Sequence, residues 1–115
     1  MTKTITKRAI NIATEFFVAP AGRFPVDGDN NGERFRTDFL VPAFRDGAHV
    51  FVDMDGSEGY GSSFLEEAFG GLVRLCGFTA SDLHQRLTLK SEEDESFIEE
   101  VWEYIDSAKA DKRAL

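Results

Sequence analysis

HVFVDM, His49 to Met54, is a short apolar run of strand formers near the middle of the chain, and it constrains the fold more than any other stretch. Too short for a helix and apolar through both phases of its alternation, it reads as a central, fully buried strand entered from the turn Asp46-Gly47. On both sides the apolar spacing changes to the helical period. Before it, Phe35, Phe39, Leu40 and Phe44 follow an Asn30-x-x-Glu33 capping box, and Pro42 is expected to kink or end that helix within a turn. After it, Phe64, Leu65, Ala68, Phe69, Leu72, Val73 and Cys76 form one broad apolar face.

Shorter signals fill in the remainder. Arg8 to Ala13 alternates as a first strand, with Ile10 and Ile12 on one side, and Phe16, Phe17 and Val18 continue it towards Pro20. Residues 19–31 are rich in Pro, Gly, Asp and Asn and read as loop. Ser81-Asp82 is placed to cap a short helical turn, and Arg86 to Lys90 reads as a brief strand. Phe97, Ile98, Val101, Trp102 and Ile105 then mark the apolar stripe of a last helix. Strand and helix alternate three times, which predicts a small α/β fold: a mixed, mostly parallel sheet packed by helices in one domain, its core spanning about residues 8–106. There is no internal repeat and no linker.

Eleven phenylalanines among 115 residues, within a hydrophobic fraction of 42%, supply a real core and exclude a disordered chain. No apolar run approaches the roughly 20 residues needed to span a bilayer. The start, MTKTITKRAIN, lacks the apolar stretch of a signal peptide, so a cytoplasmic protein without membrane contact is expected. The single cysteine, Cys76, has no internal disulfide partner and is expected to be buried at the end of its apolar stripe. The net charge of −8 is concentrated between Ser91 and Asp106, where eight acids meet no Lys or Arg. Such a surface does not suit nucleic acid, since phosphate contact needs a basic stripe.

Asp27 to Asp38, DGDNNGERFRTD, has the spacing of a calcium loop, with oxygen ligands at Asp27, Asp29, Asn31 and Asp38. Against it stand the short terminal Asp38, Arg34 where an apolar anchor belongs, and Pro20 and Pro25, which rule out an incoming helix. A second acidic group, Asp53, Asp55 and Glu58, sits where open α/β sheets gather ligands, at the carboxyl end of the central strand; a magnesium site using Asp53 and Asp55 is the alternative to loop carboxylates satisfied by turn amides. Hydrolase chemistry finds little support: the glycines near Ser62 do not spell G-x-S-x-G, no P-loop lysine follows, and His49 opens the strand whose far end carries the loop.

The stretch Gly59 to Gly71, GYGSSFLEEAFGG, draws these threads together. Ser63-x-x-Glu66 has the form of a capping box, and Glu66 and Glu67 suit the positive helix end, which leaves Ser62 outside the helix at the tip of a glycine-rich loop. Gly70-Gly71 is expected to permit close approach of another backbone or to end the helix early.

A strand, a loop and paired serines opening an apolar helix resemble the STAS domain of anti-sigma factor antagonists. The longer pattern is similar to a largely uncharacterised bacterial STAS-like family, through Gly22-Arg23, Gly32-Glu33 with Phe35-Arg36, Pro42-Ala43 and Gly59 through Gly71. In the antagonists a partner kinase phosphorylates the first serine of Asp-Ser-Ser and thereby dissolves a complex. The resemblance carries that role to Ser62, with Ser63 second, although Gly61 stands where the aspartate would be and Phe64 replaces a small residue. It implies a non-catalytic regulatory module that binds a protein partner of kinase or ATPase type, with no cofactor. Asp53, Asp55, Gly59, Tyr60, Gly61 and Phe64 then form the candidate binding loop. A small-ligand or nucleotide-binding module using the amides of Gly56 to Ser63 is the alternative.

Overall fold

The structure, a computed structural model, describes residues 7–46 and 49–110. Three strands, β1 (Lys7–Asn11), β2 (His49–Asp53) and β3 (Leu87–Lys90), form one sheet in the order β1-β2-β3. Both pairings are parallel: Ile10 lies opposite Val52, and Val52 opposite Leu89. Parallel neighbours require crossovers, and helices supply both. The first is α1 (Ile12–Glu15) followed by a long loop and α2, residues 32–45; the second is α3, residues 62–76, with α4 (Ala80–Arg86). The last helix, α5 (Ser96–Ser107), packs along α3.

The α/β class and the parallel sheet emerge as expected, but β2 is not fully buried. Val50 and Val52 are inaccessible, whereas Phe51 between them is 38% exposed. Lys7, His49, Phe51 and Thr88 surround a depression of about 380 Å³ on this other face, which no helix among the described residues covers. A run apolar on both faces therefore does not mean burial on both faces. The Asp46-Gly47 turn before β2 lies partly outside the described residues.

Several local expectations are corrected. Strand β1 stops at Asn11, whose side chain accepts the Thr14 amide at 2.9 Å and turns the chain into α1. Phe16 and Phe17 are thus not extended: both amides return to the Ile12 carbonyl, at 2.9 Å each. The cap of α2 is Asn31 rather than Asn30, its Oδ1 accepting from the Arg34 amide. Thr79, not Ser81, caps α4 through the Asp82 amide. Cys76 is exposed, because the chain leaves the helix at Gly77 (φ +83°) one residue later.

Pro42 sits inside its helix, which ends at Arg45, within a turn as expected, but the turn before the proline is not an ordinary one. The α-helical turn Gly32–Phe35 widens into a π turn, Arg36–Leu40, and resumes as α-helix over Val41–Arg45. The Val41 amide returns to the Arg36 carbonyl, five residues back. Proline has no amide to return and crowds the preceding turn; a wider turn accommodates both deficits without breaking the helix. Helix α3 has the same build: Ser62–Leu65, a π turn at Glu66–Gly70, then Gly71–Cys76.

The two widened helices meet over the sheet. Phe35, Phe64 and Phe69 are fully buried and join Phe16 and Phe39 in a cluster with ring centroids 5.1 to 6.3 Å apart. Gly32 lets the backbones touch: a Cβ there would stand 2.6 Å from the Phe64 carbonyl oxygen. No helix among the described residues is long and apolar enough to cross a membrane.

Candidate functional site

The loop between β2 and α3 is pinned by its own polar groups. Asp53 Oδ1 accepts the Asp55 amide at 2.9 Å, the Glu93 side chain accepts the Gly56 amide, and the Val18 carbonyl accepts the Glu58 amide at 2.8 Å. Ser57 Oγ takes the Gly59 amide at 3.2 Å. Gly56 (φ +90°) and Gly59 (φ +131°) occupy backbone conformations that side chains rarely adopt, which is why glycines recur here. Tyr60 closes the loop: its hydroxyl donates to the Met54 carbonyl at 2.8 Å, and its ring meets Phe97 edge-on at 5.1 Å. Burial pushes the Tyr60 phenol up to about 12, and the carboxylates of Asp53, Asp55 and Glu93 act in the same direction.

Asp53 and Asp55 share a partner. Lys90 Nζ lies 3.6 Å from Asp53 Oδ2 and 3.4 Å from Asp55 Oδ2, in the position a bridging cation would take. The Asp55 carboxylate also accepts the amides of Glu93 at 2.9 Å and Glu92 at 3.1 Å, and these bonds hold its pKa below the usual carboxylate range. The calcium-like loop is likewise turned to internal use. Asp27 accepts the Phe24 and Arg23 amides, which lower its pKa; Asn31 caps α2, and Asp38 pairs with Arg34 at 3.6 Å. Among the described residues no three His, Cys, Asp or Glu side chains gather as metal ligands. The histidines are occupied away from the serines: His49 Nε2 meets Thr88 Oγ1 at 2.6 Å, and His84 Nε2 meets Asp106 Oδ1 at 2.7 Å while stacked on Trp102.

The serines stand differently from the capping-box reading. Gly61 is the N-cap, with extended backbone and no side-chain hydrogen bond, so Ser62 and Ser63 are the first two helical residues, both exposed. No amide from Ser62 to Phe64 finds an acceptor among the described residues. Glu66 does not reach back to Ser63 because arginines hold it: Arg74 Nη1 lies 2.6 Å from Oε2, and Arg23 bonds Oε1. Burial works to raise the Glu66 pKa, but the hydrogen bonds from Arg74 and Arg23 outweigh it and leave the group below the ordinary carboxylate range. Phe64, included in the candidate binding loop, is wholly buried and belongs to the core.

Sequence reasoning missed the charge cluster beneath this turn. Arg36 reaches from α2 to donate to Glu67 Oε2 at 2.7 Å and also to the Glu67 backbone carbonyl. Arg36 is 3% and Glu67 2% exposed. Arg23 and Arg74 each approach Glu67 Oε1 at 3.3 Å, so three guanidiniums enclose two carboxylates. The glycine pair makes this possible. A Cβ on Gly71 would stand 2.2 Å from Arg36 Nη1, and one on Gly70 would stand 2.7 Å from Glu66 Oε2. Both glycines therefore make room for side chains of the charge cluster. An arginine next to Phe35 on a helix with a buried face was the signal available in the sequence.

Ser62 also has a neighbour that the sequence did not suggest. The Tyr104 hydroxyl donates to Glu100 Oε2 at 2.7 Å on the stretch of α5 that packs against the start of α3, near Ser62. The family model described as a STAS-like domain of unknown function (DUF4325) matches residues 31–97, which include α2, β2, α3 and β3. No curated protein and no solved structure matches the chain.

Proposed function

The chain belongs to the STAS-like family whose model spans more than half of it, and from that premise we propose that it is a non-catalytic regulatory module that binds a protein partner through the Gly59–Ser63 tip and is switched by phosphorylation of Ser62. One observation carries this reading. Two adjacent serines stand exposed at the head of a helix whose cap uses neither hydroxyl, so helix formation does not account for them. The free first-turn amides favour a dianion on Ser62. The partner is of kinase or ATPase type and supplies a nucleoside triphosphate. The bond from Ser62 Oγ to the γ-phosphorus forms as that phosphorus leaves its bridging oxygen, the hydroxyl proton passes to a base of the partner, and the diphosphate departs.

Glu66 and Glu67 are neutralised by three arginines, and Lys90 offsets one of the two charges at Asp53 and Asp55, so the repulsion from these carboxylates is reduced. The uncompensated charge beside Ser62 comes from α5. The ligand-binding alternative loses ground for a similar reason. The amides of Gly56, Glu58 and Gly59 already serve internal acceptors, which leaves an anion the free amides of the serine turn. Its acidic surroundings also make the module a partner for neither nucleic acid nor an anionic membrane surface.

Mass spectrometry of the protein purified from its own cells, together with pull-down by wild type and Ser62→Asp, tests the reading. Phosphate on Ser62 and a partner retained by wild type but lost by Ser62→Asp are expected. Unmodified serines in every growth condition, with equal partner capture by both forms, would overturn it.

A further inference from the structure

Ser62 is read from the side by α5. Ser62 opens the segment of α3 that packs against α5, where the Tyr104 hydroxyl donates to Glu100 Oε2 at 2.7 Å and Glu103 adds negative charge on the same stretch. The nearest basic side chains on α3 and its flanking loop, Arg74 and Arg23, are committed to Glu66 and Glu67. Helix α5 packs along α3 with Val101 and Ile105 buried, while Phe97, Ile98, Trp102 and Tyr104 remain partly accessible. At its start the Phe97 ring rests against Tyr60 of the serine loop, and lower down its backbone passes close to Gly70. One helix thus touches the loop, the start of α3 and its waist.

We propose that α5 is the element that responds to Ser62: a phosphoryl group on Ser62 repels the Glu100 and Glu103 carboxylates and loosens α5 from α3, uncovering the apolar strip formed by Tyr60, Phe97 and Val101. The modified serine has lost its hydroxyl proton and brings a charge of about −1.5 to −2 beside Glu100. No free cation among the described contacts of Tyr104 and Ser62 offsets that charge. Phosphorylation then does more than obstruct a docking surface, because it changes which surface is presented. The inference rests on the assignment of Ser62 as the modified residue.

The test needs no partner and supplies the phosphate itself. The full chain is made with phosphoserine incorporated at position 62, and its amide hydrogen exchange is compared with that of the unmodified chain. Exchange across residues 96–107 is expected to rise about tenfold or more while α2 and β2 keep their protection, since the opening is local. Adding Glu100→Gln to the phosphorylated chain is expected to restore most of the lost protection by removing the opposing charge. Unchanged or slower exchange in α5, a rise spread evenly over the molecule, or no restoration by Glu100→Gln would each overturn the proposal. Native protein found unmodified at Ser62 would defeat the phosphorylation reading but leave this response as measured. A failed response would leave partner binding to be judged separately.

Discussion

The middle and the start of α3 are four residues apart and carry similar polar pairs, Glu66-Glu67 and Ser62-Ser63, yet the fold treats them in opposite ways. In the middle, the Glu67 side chain is 3% exposed and three arginines satisfy the two carboxylates. At the start, both serines are exposed and the helix is capped without them. A group buried at such expense of desolvation is retained because the packing depends on it, whereas a group left in water is free to serve something outside the molecule. The contrast separates architecture from candidate function within a single helix.

The sharpest way to break the comparison is at Glu67. Removing one partner of a buried ion pair leaves the other uncompensated, so Glu67→Ala is expected to lower unfolding stability by about 3–5 kcal/mol in urea titration. The double variant Arg36→Met/Glu67→Met should recover most of that loss, because apolar groups of similar size need no partner. Next in size is Gly71→Ala. In an ordinary helix it would stabilise by about 1 kcal/mol. Here the added Cβ meets a guanidinium with no route to solvent, and a loss of about 1–3 kcal/mol is expected in the same titration.

Acid sharpens the contrast further. The folded-state pKa of Glu66 is depressed, so its contribution is fully present above the unfolded value, near 4.3, and is lost as pH falls through the lower folded value. Stability should therefore decline below about pH 5, and Arg74→Gln should shift that decline to higher pH in thermal melts across a pH series. The smallest effect is expected at the start of the helix. A capping serine costs about 1 kcal/mol when replaced by alanine. Ser63→Ala and Ser62→Ala should each change stability by under about 0.5 kcal/mol, as exposed non-capping positions do. A full capping loss at Ser63 would show that the side chain closes the helix in solution after all.

Much of the fold was legible in the sequence because it depends on order and period. Three short strand runs separated by helical patterns left a parallel sheet as the economical arrangement, and Val50, Val52 and Leu87 occupy its core face. What escaped depends on contacts between distant residues. The helix ends within a turn of Pro42, but the π turn that accommodates the proline is announced by nothing local in the sequence. Ser63 and Glu66 satisfy the spacing of a capping box, but Arg23 and Arg74, brought in by the fold, compete for the glutamate and win. Phe51 looks like core by composition and is half open because no described helix reaches its face. For the site, the serines were visible, while Tyr104 and Glu100 beside them were hidden by distance along the chain.

The parallel sheet has a kinetic consequence. Lys7 must find His49, and Val50 must find Leu87, across complete helical crossovers, so no hairpin is available to nucleate the strands. The entropy of closing those long loops is spent before any ladder hydrogen bond forms. Refolding should accordingly be slow for a chain of this size, and the rate should respond most to substitutions in the phenylalanine cluster, where the two crossovers first come into contact.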